Sequence, residues 1–190
     1  MKMIYLIYFF YLINTSNCFI CFLSYFESFI IYNQYILRTP VILSGEGAVR
    51  GLYNYPAAKL AIIHGNSFSE KRNFLSTFAK RGVRFIQRSW QGEPDIENLS
   101  ETIAEIEKFS PDTIIAVGGG SVIDGSKLCR LFYEFPYYNH EETRLSGELF
   151  RTKFIAVPTT VGSGAEVSSA AVFVDKEKHK KDMIVIHELQ

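Results

Sequence analysis

From position 40 onward the chain alternates short unbroken apolar runs with longer segments of helical spacing. Runs at 40–43, 60–63, 83–86, 113–117 and 154–157 predict strands, and the β-branched, apolar 113–117 reads as a buried strand of a parallel sheet. Between them, 47–53 predicts a short helical turn. The segment 67–81 predicts a helix opened by a capping box of Ser67 and Glu70 that buries Phe74 and Phe78. Gly82 then stands where a left-handed cap would end that helix. From Asp95, the residues Ile96, Leu99, Ile103, Ile106 and Phe109 recur at helical spacing, with Glu97, Glu101, Glu105 and Lys108 on a solvated face. A further helical pattern opens at Ser121, and 133–151 reads as irregular. Runs at 170–174 and 183–186 flank the charged stretch 175–181 as a hairpin would. Strands separated by helices predict an α/β fold, a parallel sheet flanked by helices with a C-terminal β-hairpin.

Two strand ends carry the candidate chemistry. The run at 113–117 empties into Gly118-Gly119-Gly120-Ser121-Val122-Ile123-Asp124-Gly125-Ser126-Lys127. Bare backbone at glycines facing a helix N-terminus offers N–H groups and the positive end of a helix dipole, a setting for phosphate or pyrophosphate. The spacing is not Gly-x-Gly-x-x-Gly, and the glycines also fit a plain tight turn with Ser121 and Asp124 as an N-cap pair. The run at 154–157 empties into Pro158, Thr159, Thr160, Val161, Gly162, Ser163, Gly164, Ala165 and Glu166. Its hydroxyls offer uncharged donors, or the segment is a polar surface loop. Ligands of open α/β sheets bind at the carboxyl ends of strands, where two such loops would converge.

Composition sets bounds. The chain has 190 residues and no formal net charge, with 20 Lys+Arg and 20 Asp+Glu, so nothing basic points to nucleic acid. Three cysteines make no disulfide framework, and Cys18 and Cys21 match Cys-x-x-Cys only by chance in an apolar stretch. Residues 1–37 differ in composition, the first glycine being Gly45 and the first alanine Ala48. This apolar extension reads as translated A/T-rich upstream sequence or as an anchor. A membrane span is disfavoured by residues 14–17 and by Glu27. The domain proper is 38–190.

The glycine segment 118–127 together with 158–166 closely resembles the iron-containing (group III, metal-dependent) alcohol dehydrogenases. Residues 40–47 and 92–95 add to the likeness, which runs from about Tyr35 onward and covers the cofactor-binding part of that family. Dehydroquinate synthases and glycerol dehydrogenases share a related fold and similar loops. The resemblance implies a Rossmann-like domain binding NAD or NADP, followed in complete members by a helical domain that is absent here. It implies cofactor contacts at Gly118, Gly119, Gly120, Ser121, Asp124, Lys127, Thr159, Thr160, Ser163 and Lys181. It implies hydride transfer between an alcohol or aldehyde and nicotinamide, in a cytoplasmic protein that forms homo-oligomers. The family's Fe2+ or Zn2+ is expected only in a complete chain, since its aspartate and histidine ligands fall beyond Gln190. His64, His140, His179 and His187 match no ligand position and read as surface or loop histidines. No catalytic residue is assigned, and the chain is expected not to turn over by itself. The alternatives are a non-catalytic, truncated nucleotide-binding module, or a relative of the dehydroquinate synthases and glycerol dehydrogenases. Gly65 stands where many members carry a ribose-reading aspartate, which leaves room for a 2′-phosphate with Lys71 or Arg72 as its partner. Ala170 replaces an asparagine of some relatives.

Overall fold

The computed structural model describes residues 5–7, 40–66, 68, 82–139, 150–176 and 178–185. The strands are β1 (Tyr5–Ile7), β2 (Val41–Leu43), β3 (Lys59–His64), β4 (Gly82–Gln87), β5 (Thr113–Gly118), β6 (Lys153–Pro158), β7 (Ala170–Asp175) and β8 (Lys180–Val185). The α-helices are α1 (Ser100–Phe109) and α2 (Gly120–Glu134), with 3-10 turns at Ala48–Asn54 and Ile96–Leu99. Six strands form a parallel sheet in the order β2-β1-β6-β5-β3-β4, and β7 and β8 form a separate antiparallel pair. Part of the apolar start of the chain is thus in the sheet, with β1 paired to both β2 and β6.

The unbroken apolar runs are explained by what covers them. In β3, Leu60 and Ile62 join Ile115, Val117, Ile155 and Val157 on one face, under Val49, Leu52 and Tyr55 of the first 3-10 turn. Ala61 and Ile63 join Ile114, Ala116 and Ala156 on the other, under Leu99, Ile106, Ile123, Leu128 and Leu131. Neither face is wet, which is why these positions are apolar. Register is fixed at the opposite end by Asp112, whose Oδ2 accepts from the Ala58 and Lys59 N–H groups at 2.7 and 3.1 Å.

Strand order positions the site. The chain leaves β3 toward β4 at one edge, then returns across β3 to β5 and leaves toward β6. Between β3 and β5 the sheet therefore has a switch point, and crevices form there at the carboxyl ends. Those ends are level: His64 pairs in register with Val117 and Gln87, and Gly118 with Pro158.

Several sequence expectations need correction. Gly82 is the first residue of β4 and has no left-handed φ, since its strand begins at once. Tyr133 and Glu134 are helical, ending α2, so the irregular stretch starts later. The hairpin turn is shorter than 175–181, because Lys180 and Lys181 already pair with Asp175 and Val174. His64 is no surface residue: it is 1% exposed, between the rings of Phe68 and Phe85, with Nδ1 3.0 Å from the Gly65 carbonyl. His179 is exposed in the hairpin turn. Apart from Phe68, the helix expected over 67–81, with its capping box and with Lys71 and Arg72, lies outside the described residues, as do Cys18, Cys21, His140 and His187.

Candidate functional site

The two glycine-bearing loops meet. Thr159 N–H donates to the Gly118 carbonyl at 2.9 Å, closing the second loop onto the end of β5. A Cβ built on Gly119 would lie 3.0 Å from Thr160 Oγ1, and one on Gly120 would lie 2.7 Å from Ser163 Cβ. Gly119 has an ordinary extended backbone, φ −77° and ψ −177°, so space and not conformation demands glycine there. Gly162 and Gly164 are the converse case. Their φ values of 107° and 65° suit glycine, while nothing lies within 4 Å of a Cβ. The result is a backbone cradle at the α2 N-terminus, rimmed by the exposed Thr159, Thr160 and Ser163. The first N–H groups of a helix lack intrahelical acceptors, and an anion suits them.

The predicted N-cap pair does not form. Gly119 is the N-cap and makes no side-chain cap bond. Ser121 sits one residue inside the helix, where its Oγ donates to the Gly92 carbonyl and accepts from Arg88 Nη1 at 2.8 Å. Tertiary partners outcompete the local cap because the 88–95 loop folds over the first turns of α2. Trp90 completes that clamp: its Nε1 donates to the Ser121 carbonyl at 3.2 Å, and a Cβ on Gly125 would lie 2.2 Å from its ring.

Asp124 and Lys127 lie beneath the cradle. Lys127 is 1% exposed, and its ammonium donates to the carbonyls of Ala165, Ser168 and Ala170 at 2.6, 2.6 and 2.8 Å. It thereby holds the end of the second loop against α2. Its pKa is lowered to about 8 by burial, against the favourable charges of Asp124 and Glu166. Asp124 Oδ1 is 4.0 Å from that ammonium. Burial raises the Asp124 pKa to about 6, although Lys127 and a hydrogen bond from the Val172 backbone favour the carboxylate. Lys181 is exposed and pairs with Glu93 Oε1 at 2.8 Å, which brings β8 to the same 88–95 loop. The structure therefore gathers Gly118, Gly119, Gly120, Ser121, Thr159, Thr160 and Ser163 at one opening, with Asp124 and Lys127 as supports and Lys181 at the flank.

Arg88, Trp90 and Glu93 escaped the sequence reading as members of this constellation. The chain has one Trp, and a lone tryptophan before Gly92 carried no periodic signal. Only the fold of the loop over α2 reveals the connection. Among the described residues no group of three or more His, Cys, Asp or Glu could hold a metal ion. None of the helices described is long and apolar enough to cross a membrane.

Comparison with known proteins identifies the fold and the family. The alcohol dehydrogenase of Thermococcus barophilus is 38% identical over 153 residues, covering 72% of this chain and 39% of that enzyme. The NADPH-dependent butanol dehydrogenase of Clostridium saccharobutylicum is 29% identical over 143 residues, covering 70% of this chain and 37% of its own length. The structure of the iron-containing alcohol dehydrogenase of Thermococcus thioreducens superposes with a TM-score of 0.65 at 31% identity, over 76% of this chain and 42% of that one. The chain thus spans less than half the length of these relatives. The family model for iron-containing alcohol dehydrogenases matches residues 39–190, and the chain belongs to that family.

Proposed function

We propose that this chain is the cofactor-binding half of an NAD(P)-dependent, metal-dependent alcohol dehydrogenase. The observation that carries the reading is the cradle at Gly119 and Gly120, where any side chain would meet Thr160 or Ser163. The missing Cβ atoms let the second loop close against the start of α2, which leaves bare backbone there to face a diphosphate. Backbone N–H groups at the start of α2 hold its charge, the hydroxyls of Thr159, Thr160 and Ser163 supply neutral donors, and Lys127 keeps the second loop closed from below. The NADPH dependence in the name of the Clostridium relative supports a nicotinamide cofactor. When bound, nicotinamide supplies the hydride acceptor or donor for an alcohol or aldehyde. This domain's task is to bind and orient it. The residues described do not fit the metal expected of the family, and no step is assigned to one.

Calorimetric titration with NAD and NADP tests the assignment. The chain should bind at least one of the two, and Gly119→Val should weaken that binding at least tenfold, because the branched side chain would enter the cradle. Far-UV circular dichroism checks that the variant folds. Unchanged affinity in a folded Gly119→Val protein would refute the loop assignment.

A further inference from the structure

The hydroxyl of Ser121 is committed to the 88–95 loop and not to the opening that its backbone borders. A serine side chain has one O–H to give and two lone pairs to offer. Ser121 Oγ donates to the Gly92 carbonyl and accepts from Arg88 Nη1 at 2.8 Å. The carbonyl of the same residue accepts from Trp90 Nε1 at 3.2 Å. What Ser121 still offers an anion is its N–H, one of the first N–H groups of α2 that lack intrahelical acceptors. The gripping loop is itself tied down. The Arg88 N–H donates to the His64 carbonyl at 3.0 Å, and the Ser89 N–H to Thr102 Oγ1 of α1 at 3.1 Å. Ser89 Oγ also donates to the Asn98 carbonyl and accepts from Thr102 Oγ1. The first turn of α2 is thus fixed, through Ser121, by partners anchored on the sheet and on α1.

Helix stability alone does not account for Arg88. A cation near a helix N-terminus opposes the helix dipole. Among the described residues no carboxylate pairs with this guanidinium. What arginine supplies here is a planar, pre-organised donor that fixes one hydroxyl. We infer that Arg88 and Trp90 are positioning residues for the diphosphate: acting through Ser121, they hold the first turn of α2 so that its N–H groups stay aimed into the cradle. Neither needs to touch the ligand, because rigid support behind a binding group sharpens its aim. The inference rests on the proposed cofactor-binding function and deepens it by naming what fixes the anion-binding turn.

Calorimetric titration with NAD and NADP tests it on wild type, Arg88→Met, Ser121→Ala, the double variant of these two, and Arg88→Lys. Arg88→Met and Ser121→Ala should each weaken binding roughly 3- to 10-fold, the scale of one lost hydrogen bond. The loss should be equal for every dinucleotide that binds, because the diphosphate is common to them. The double variant should lose no more than Ser121→Ala, since the arginine acts through that hydroxyl. Arg88→Lys keeps a donor for Ser121 Oγ and should bind within about threefold of wild type. An arginine that merely stabilised the fold would lower the urea midpoint without this non-additive pattern of affinity. Losses that multiply in the double variant, or that fall on only one of two bound dinucleotides, would put Arg88 on the ligand itself and overturn the inference. Unchanged affinity in a folded Arg88→Met protein would overturn it too. Should that variant fail to fold, Trp90→Phe removes the donor to the Ser121 carbonyl while keeping an aromatic ring in the loop. It must show a comparable loss, and wild-type affinity there overturns the inference as well. Failure of wild type to bind either dinucleotide would instead overturn the underlying function, whereas a Gly119→Val loss without an Arg88→Met loss would overturn the inference alone.

Discussion

Replacing Lys127 by methionine isolates the contact that holds the second loop. Methionine preserves an unbranched apolar stem and removes every donor. The carbonyls of Ala165, Ser168 and Ala170, now 2.6, 2.6 and 2.8 Å from the ammonium, lose that partner together. A buried acceptor left unpaired costs about 1–3 kcal/mol. Ala165 is buried and bears the full penalty, whereas Ser168 and Ala170 are partly exposed and recover some hydration. Against this stands relief from burying a charge, seen in the Lys127 pKa held down to about 8. Asp124 and Glu166 lose their cation in the same step. Together these effects predict a net loss of about 2–4 kcal/mol, below the roughly 3–5 kcal/mol of breaking a buried pair because the desolvated ammonium leaves as well. Urea unfolding followed by tryptophan fluorescence reads it, since Trp90 packs on Gly125 of the same helix. Dinucleotide affinity should fall too, because Thr160 and Ser163 would no longer be held opposite Gly119 and Gly120. An unfolding free energy within about 0.5 kcal/mol of wild type would refute the idea that this ammonium secures the loop.

Gly125→Ala should destabilise the chain despite the higher helix propensity of alanine, because its Cβ would overlap the Trp90 ring. Overpacking of this kind costs about 1–3 kcal/mol and should appear as a lowered urea midpoint with an unchanged slope; a stabilised variant would show that Trp90 moves freely. The Asp124 pKa is raised by burial to about 6, so between its ordinary value of 3.8 and 6 the folded chain binds more protons than the unfolded one. Asp124 thus lowers stability as pH rises through that window. Lys127, lowered to about 8, adds stability as pH climbs from there toward 10.5. Asp124→Asn should therefore remove part of the loss between pH 4 and 6, measured as the wild-type-minus-variant difference in unfolding free energy across pH. A difference that stays flat through that range would contradict the burial argument.

The strands at 60–63, 113–117 and 154–157 were legible because burial on both faces forces an unbroken apolar run, a signal written locally, whereas 83–86 lies at the sheet edge and carries the exposed Arg84. The glycine segment was legible for a related reason: a strand ending at Gly118 next to a helical pattern has few other local solutions. What the residues around Ser121 would do was not legible. Its hydroxyl had a plausible local partner in the cap geometry, and the partners it takes, Gly92 and Arg88, are about 30 positions away. The same holds for Lys127, whose position in a family motif was visible but whose attachment to three carbonyls near 165–170 was not.

The sequence by itself determined the α/β alternation, the two loops and their glycines, since these depend on which residues tolerate burial, turns or bare backbone at a given place. Tertiary structure decided the strand order that puts β3 beside β5, and with it the crevice. It also decided that the Arg88 side chain reaches Ser121 of α2 and that Lys127 holds the second loop from beneath. Hydrophobic pattern is a property of each segment, whereas the meeting of Arg88 with the ends of β3 and α2 depends on how separate segments cross.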